Sequence, residues 1–136
     1  AFEGNTAIAE LDLKSATTIG ANAFNGATAF KGIGKNGVVT LNVATVEENS
    51  FNGTAVQRFQ LKAATTVKAN SLNSTALKQV KFRQNVKAWK DNAGINTSFI
   101  ADPTTVDLFV KSAADQAAFG NMVFRTVTED DTDWQD

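Results

Sequence analysis

A short motif that recurs along the chain constrains its fold more than any other feature. Ala23-Phe24-Asn25-Gly26 is preceded by Ala1-Phe2-Glu3-Gly4 and followed by Ser50-Phe51-Asn52-Gly53, with a weaker copy at Ser71-Leu72-Asn73-Ser74. The Phe or Leu of the motif recurs after 22, 27 and 21 residues. A period of about 20–30 residues is typical of a solenoid, in which each unit buries its apolar face only against its neighbours. The motif therefore predicts stacked units whose recurring Phe and Leu side chains form one core column.

The apolar residues between the motifs predict four units. Residues 6–22 align with residues 54–70 without a gap. The matching apolar pairs are Ile8 and Val56, Leu11 and Phe59, and Leu13 and Leu61. Leu11 to Leu13 alternates with polar residues, which predicts a short strand with one face inward. We place the units at about 1–22, 23–49, 50–70 and 71–89. Residues 90–103 show no period and are predicted to be a long ordered loop.

The C-terminal part departs from this pattern. Val106, Leu108 and Val110 are apolar at alternate positions and predict one more strand. Ser112 is a suitable N-cap for a short helix, and residues 122–127 form a last apolar segment. We interpret residues 104–136 as a cap, because a solenoid needs a terminal unit that closes its core. The chain opens within a motif and without Met, so we interpret it as processed or as a fragment of a longer array.

The composition excludes several kinds of chemistry. The 136 residues include no Cys and no His, which removes disulfides, Cys or His zinc sites, and catalysis by a Cys nucleophile or a His base. An enzyme would have to use carboxylates, Lys or Ser alone, and no pair stands out. No segment approaches the roughly 18 apolar residues of a membrane span, and no signal peptide is visible. The net charge of −1 gives no general attraction to nucleic acid. We therefore predict no enzyme, no cofactor, no metal, no nucleic acid and no membrane span.

Residues 6–26 resemble the BspA-like leucine-rich repeat. The unit of that family carries a short strand, a buried Ile-Gly, and an Ala-Phe followed by a small turn; here these are Leu11 to Leu13, Ile19-Gly20 and Ala23-Phe24. The resemblance covers about residues 1–89, and residues 106–124 are similar to the strand and helix that end such arrays. Two features differ. The Pro that usually ends the strand is replaced by Lys14, Lys62 or Arg83, and the Cys often found after the Gly is absent.

The resemblance implies an α/β solenoid: a right-handed leucine-rich-repeat superhelix of short parallel strands, with irregular or 3-10 returns and a C-terminal strand–helix cap. It also implies an extracellular or cell-surface protein that binds proteins or other surface macromolecules in adhesion. We expect one domain over residues 1–136 with that non-catalytic function. The alternative is a purely structural cap of a longer array whose binding surface lies upstream. An uncovered first unit would expose a strand edge, so weak self-association through the N-terminal edge is also predicted.

Two sets of outward-facing residues are candidate binding surfaces. The candidate binding face grades from acidic to basic along the stack and comprises Glu10, Asp12, Thr40, Arg58, Gln60, Gln79 and Lys81. A basic ladder follows the strand ends at Lys14, Lys62 and Arg83. Like charges on rungs about 4.8 Å apart repel by a few tenths of a kcal/mol, which an anionic partner would relieve. Both sets are also explained as ordinary solvated strand residues, and the two interpretations are open at this point.

Two further stretches carry weaker signals. Gly32 to Gly37 spells G-x-G-x-x-G, but a strand-like run follows it where nucleotide binding needs a helix, so we interpret residues 31–37 as an insertion loop. Asp130, Asp131 and Asp133 are oxygen ligands suited to calcium, yet their spacing lacks the Gly and Glu of an EF-hand loop. We expect the acidic tail from residue 129 onward to fold back toward the basic stretch 68–90, with Trp134 as its apolar anchor.

Overall fold

The main element of the structure is a parallel β-sheet. The computed structural model describes residues 2–85 and 94–134. The strands in those residues are β1 (Val38–Leu41), β2 (Thr45–Val46), β3 (Arg58–Leu61), β4 (Thr66–Val67), β5 (Gln79–Phe82), β6 (Asp107–Val110) and β7 (Thr126–Glu129). β1, β3, β5, β6 and β7 lie side by side in that order, all parallel, and β2 pairs with β4 in a second parallel sheet. The described part of the chain is thus a mostly parallel-stranded sheet with few helices, compatible with an α/β fold.

One side of the five-stranded sheet packs on an apolar core because every second strand residue is apolar. The inward residues of β1, β3, β5 and β6 are Val39, Leu41, Phe59, Leu61, Val80, Phe82, Leu108 and Val110, all at most 2% exposed. The recurring aromatic residues belong to the same core. The rings of Phe2 and Phe24, and those of Phe24 and Phe51, stack with centroids 5.2 Å apart. The prediction that these residues line the core is confirmed, although Phe2 is only partly buried.

The backbones of the recurring motifs are hydrogen-bonded to one another. The Phe24 N–H donates to the Ser50 carbonyl at 2.8 Å, and the Phe51 N–H donates to the Ser71 carbonyl at 3.0 Å. Side-chain amides form a parallel row: Nδ2 of Asn52 donates to Oδ1 of Asn25 at 3.1 Å, and Nδ2 of Asn73 donates to Oδ1 of Asn52 at 3.0 Å. The Asn of the motif therefore supports the stacking that the Phe provides in the core.

The strand predicted at Leu11 to Leu13 is wrong. Before it, Glu10 makes only an isolated parallel bridge with Gly32. The reason is the inserted segment 31–37, in which Ile33 and Val38 exchange backbone hydrogen bonds of 2.9 and 3.0 Å and so occupy the start of β1. Gly32 has a φ of +86°, and a Cβ there would lie 2.3 Å from the Val38 carbonyl oxygen. This glycine is therefore required by a close backbone approach in a turn.

The ordered loop predicted over residues 90–103 is described from residue 94 onward, and there it packs against the core. Ile95 forms a parallel bridge with Val67, and the Leu72 N–H donates to the Phe99 carbonyl at 3.1 Å. Ile95, Phe99 and Ile100 are at most 3% exposed. The end of the predicted fourth unit, residues 86–89, lies outside the described residues.

The C-terminal elements agree with the sequence more closely. The predicted strand is β6, and the predicted helix is the 3-10 helix Ala113–Phe119, where the Ser112 N–H donates to the Asp115 carboxylate at 3.1 Å. A short 3-10 helix, Pro103–Thr105, precedes β6. The apolar segment 122–127 overlaps β7, an edge strand whose four residues are all exposed. Within residues 2–85 and 94–134, no helix has the length and apolar character that crossing a bilayer requires.

Candidate functional site

The outward side of β1, β3, β5 and β6 carries polar side chains in two columns. The register makes Thr40, Gln60, Lys81 and Phe109 successive neighbours in one column, and Val38, Arg58, Gln79 and Asp107 in the other. We call the surface formed by Arg58, Gln60, Gln79 and Lys81 the polar face. Glu10 and Asp12, the two acidic members of the candidate binding face, are exposed and lie in the segment before β1. The structure therefore brings together the members from Thr40 to Lys81 on neighbouring strands. The segment that carries the acidic pair runs beside β1, since Nδ2 of Asn42 donates to the Lys14 carbonyl at 2.8 Å.

Residues 130–134, which we call the tail, lie across the polar face. The Asp130 N–H donates to the Val110 carbonyl at 2.9 Å, so the tail starts at the end of β6. At its other end, the ring of Trp134 meets the ring of Phe109 edge-on, with centroids 5.4 Å apart. The prediction that the acidic tail folds back with Trp134 as its anchor is confirmed. Of the basic stretch 68–90, Lys87 and Lys90 lie outside the described residues.

Lys81 is the most buried charge of the polar face, with no exposed surface. Its Nζ donates to Oδ2 of Asp130 at 3.0 Å and to the Thr132 carbonyl at 2.8 Å. The same ammonium lies 5.0 Å from the centroid of the Trp134 ring, within the range of a cation–π interaction. A buried ammonium without such partners is destabilising by several kcal/mol. The tail therefore supplies the groups that allow a lysine at this position.

Gln60 recognises the main chain of the tail. Its Oε1 accepts from the Trp134 N–H at 2.6 Å, and its Nε2 donates to the Trp134 carbonyl at 3.3 Å. Beside it, the guanidinium of Arg58 lies 4.1 Å over the Trp134 ring and is oriented by a 2.8 Å bond from Nε to Oε1 of Gln79. Burial lowers the pKa of Arg58. Trp134 is thus held by its backbone on one side and by a cation and Phe109 on the other.

Two members of the basic ladder hold the carboxylates of the tail. Arg83 donates from Nε to Asp133 at 2.6 Å and from Nη1 to Asp131 at 2.8 Å. Nζ of Lys62 lies 3.2 Å from Asp133. Arg83 and then Lys62 lower the pKa of Asp133 below the ordinary carboxyl value. Lys14, the third member, lies 3.6 Å from Asp12.

The candidate binding face was expected to be exposed, and for its central residues this is wrong. Thr40, Gln60 and Lys81 are 6%, 2% and 0% exposed. The physical reason is the tail, whose backbone and carboxylates take the hydrogen bonds that water would otherwise make. The sequence contained both halves of this arrangement, a basic column and an acidic segment with a Trp. Phe109 was missed as part of the site, although its place in the alternating pattern of β6 put it on the polar side.

The arrangement of the site is suited to binding a peptide: cations meet carboxylates, an amide meets a peptide group, and a guanidinium meets an indole. Among the residues that the structure describes, no group of three or more acidic side chains is placed to hold a metal ion. Asp130, Asp131 and Asp133 bond to Lys81, Arg83 and Lys62 instead.

Comparisons with protein-family models, with curated proteins and with solved structures find no match for this chain.

Proposed function

We propose that the chain is a non-catalytic leucine-rich-repeat domain of the BspA-like kind, built as a right-handed solenoid. Three observations support the proposal. The strands of the main sheet follow one another in chain order and are all parallel. The recurring Phe backbones are hydrogen-bonded in sequence, and Asn25, Asn52 and Asn73 form a row of amides. Such contacts between successive segments are what a stack of similar units requires.

The solenoid is tested by lengthening it. A second copy of residues 50–70 inserted after residue 70 should fold, because each unit would contact only its neighbours, and should extend the molecule by about 4.8 Å. Small-angle scattering and circular dichroism measure both properties. A Gly/Ser insertion of the same length at the same point is the control and should destabilise the fold. An inserted unit that unfolds the chain as much as the control does would contradict the solenoid.

We further propose that this domain is extracellular or at a cell surface and binds another protein or surface macromolecule there. The observation that carries the proposal is that the polar face already holds a peptide segment by side-chain contacts to its carboxylates and backbone. A sheet face with this chemistry is suited to recognition, and parallel solenoids present such faces as extended binding surfaces.

The test uses the immobilised full chain with extracts of cell surfaces, followed by binding measurements on the purified partner. Arg58→Glu should weaken binding at least about tenfold, because it reverses the charge of the face. Lys35→Glu reverses a charge in the exposed turn before β1 and is the matched control. Equal retention by both variants would place the binding surface elsewhere.

One observation favours the alternative of a structural cap. The tail buries the centre of the polar face, which closes this part of the surface to other molecules. If the domain is only a cap, the full chain and its tail variants will bind no partner, while a longer array will. If the full chain and its tail variants bind a partner only when upstream units are added, the result would favour the cap.

Self-association through the N-terminal edge is a further proposal. Phe2 is partly exposed while it stacks on Phe24, which leaves apolar surface at that end. Sedimentation at high protein concentration should show weak association that Phe2→Asp removes. A monomer at all concentrations would contradict it.

A further inference from the structure

We propose that the polar face is a recognition site for an acidic peptide segment of another protein with the pattern Asp-x-x-Asp-Trp, and that the tail is its built-in competitor. The inference rests on the proposed function and names the class of partner. It is argued from the contacts that the tail makes, because they show which features of a peptide the face can distinguish.

The first and fourth positions of the bound segment require carboxylates. Asp130 reaches the fully buried Nζ of Lys81 at 3.0 Å. Asp133 is held between Arg83 at 2.6 Å and Lys62 at 3.2 Å. Charge-assisted hydrogen bonds of this length are about twice as strong as neutral ones. A segment lacking either carboxylate would leave a cation of the face without its partner.

The second and third positions are less restricted. The side chain of Asp131 is 61% exposed while it contacts Arg83, so solvent weakens that pair. Thr132 contributes its backbone carbonyl to Lys81, which any residue can supply, while its hydroxyl donates to Asp130 within the tail itself. These two positions therefore accept many side chains.

The fifth position requires an aromatic residue and an accessible backbone. Trp134 fits between the guanidinium of Arg58 and the ring of Phe109, while Gln60 bonds both its N–H and its carbonyl. Among the aromatic side chains, the indole of Trp is the best partner for a cation, and Arg is the cation most often found over it. The site thus distinguishes three of five consecutive residues, the first and fourth by charge and the fifth by its backbone and ring.

A tail that served only to cover the sheet would not require these residues. Apolar residues on both the tail and the sheet would cover the strands without removing any charge from water. Replacing a buried ion pair by apolar residues is often neutral or stabilising. The polar face and the basic ladder instead present four cations to one short segment: Arg58, Lys62, Lys81 and Arg83. This charge complementarity favours a peptide ligand, and the exposure of Asp131 and Asp133 allows the tail to open locally.

Competition by the tail sets the expected affinities. A tethered segment acts at an effective concentration of the order of millimolar, so a free peptide binds the native chain only weakly. Weakening the tail should remove this competition without altering the face. Asp133→Asn combined with Trp134→Ala does so, since it removes one charged and one aromatic contact of the tail.

The experiment measures fluorescence anisotropy of a labelled peptide with the sequence of residues 128–134, Thr-Glu-Asp-Asp-Thr-Asp-Trp, added to full chains. The tail-weakened double variant should bind it at least about tenfold more tightly than the native chain. Adding Arg83→Gln to the double variant should reduce that binding about tenfold or more, and Lys35→Gln should not. Lys62→Gln, at a more exposed side chain, gives a second test should the Arg83 variant fail to fold.

A scrambled peptide of equal charge is the control for pattern. Equal binding of the scrambled and native peptides, or no binding to the double variant, would overturn the inference. Exchange of tails between two native chains, seen as a dimer in sedimentation, would also overturn it in favour of a second copy. If the peptide does not bind while the full chain still binds a macromolecular partner, only this inference is overturned and the proposed function stands. If neither the peptide nor a partner binds, both are overturned.

Discussion

Both sides of the main sheet are buried at their centres, but they are covered in different ways. On the apolar side, Phe59 and Phe82 are fully buried by residues that recur along the chain. On the polar side, Gln60 and Lys81 are 2% and 0% exposed, yet their cover is one tail far downstream in the sequence. The same strands therefore alternate between a core that successive segments build together and a surface that depends on a single segment.

The difference matters because the two kinds of burial have different energetics. Burial of apolar area is non-directional, so each core side chain is supported by many neighbours. Burial of a polar group is favourable only when its specific partner is present, and removal of that partner costs the full desolvation of the group left behind. A change in the core should thus weaken the whole molecule, whereas a change in the tail should act mainly on the polar face.

The largest effect is expected from a change in the core. Phe24→Ala removes a ring that stacks on Phe2 and Phe51 and should lower the free energy of unfolding by about 3–5 kcal/mol. Chemical denaturation followed by circular dichroism measures it. Phe109→Ala, at a half-buried ring of the polar face, is the matched control and should cost less. An unchanged melting temperature for Phe24→Ala would refute the core assignment.

A change that breaks the buried ion pair of the polar face should come next. Asp130→Ala leaves the Lys81 ammonium without its carboxylate and should destabilise the fold by about 1–3 kcal/mol. Lys81→Met removes the charge itself and should cost less, since no buried ammonium remains. Denaturant unfolding of both variants measures the difference. A larger loss for Lys81→Met than for Asp130→Ala would show that the polar face is stabilised mainly by the pair itself.

The contrast between the two sides also explains what the sequence could predict. The core column of Phe24, Phe51 and Leu72 follows from simple recurrence, because stacked segments place equal residues at equal positions. The strand predicted at Leu11 to Leu13 was wrong because Ile33 of the inserted segment pairs with Val38 at the start of β1. That pairing depends on the backbone geometry at Gly32, which the apolar period does not report. The burial of Ile95 and Phe99 was not predicted, because residues 90–103 show no apolar period in the sequence.

The sequence predicted most residues of the site but not how they fit together. The alternation of β3 and β5 places Gln60 and Lys81 on the polar side, and the composition of the tail predicts attraction to cations. The close fit between them depends on where Trp134 meets Arg58 and Phe109, which no local pattern contains. A long-range contact between one tail and one sheet face appears once in the chain, so it leaves no period to detect.

The pH dependence of tail docking is the third prediction. The hydroxyl of Thr132 and then Lys81 lower the pKa of Asp130, and Arg83 and then Lys62 lower that of Asp133. A carboxyl group with a lowered pKa in the folded state adds stability above its unfolded pKa, about 3.9, and loses it as the pH falls through the folded value. The tail should therefore stay docked at neutral pH and be released below about pH 4.

Fluorescence of Trp134 in a Trp89→Phe background measures this release. The double variant Asp130→Asn, Asp133→Asn should lack the transition, while the apolar core should keep its circular dichroism through the same range. A transition centred above the ordinary carboxyl pKa would contradict the sign of the effect.

The smallest effect should come from the exposed ion pair between Lys62 and Asp133. Both side chains are 40% exposed, so the pair should contribute at most about 1 kcal/mol, and salt near 1 M should screen it. The rate of proteolysis in the tail measures docking: high salt should loosen the tail and remove the difference between the native chain and Lys62→Gln. The matched variant Trp134→Ala should remain more sensitive at every salt concentration, because the contact of its ring with Phe109 is not screened. A tail whose protease sensitivity is unchanged by salt would instead be held by packing alone, and the polar face would then resemble the apolar side more closely than its charges suggest.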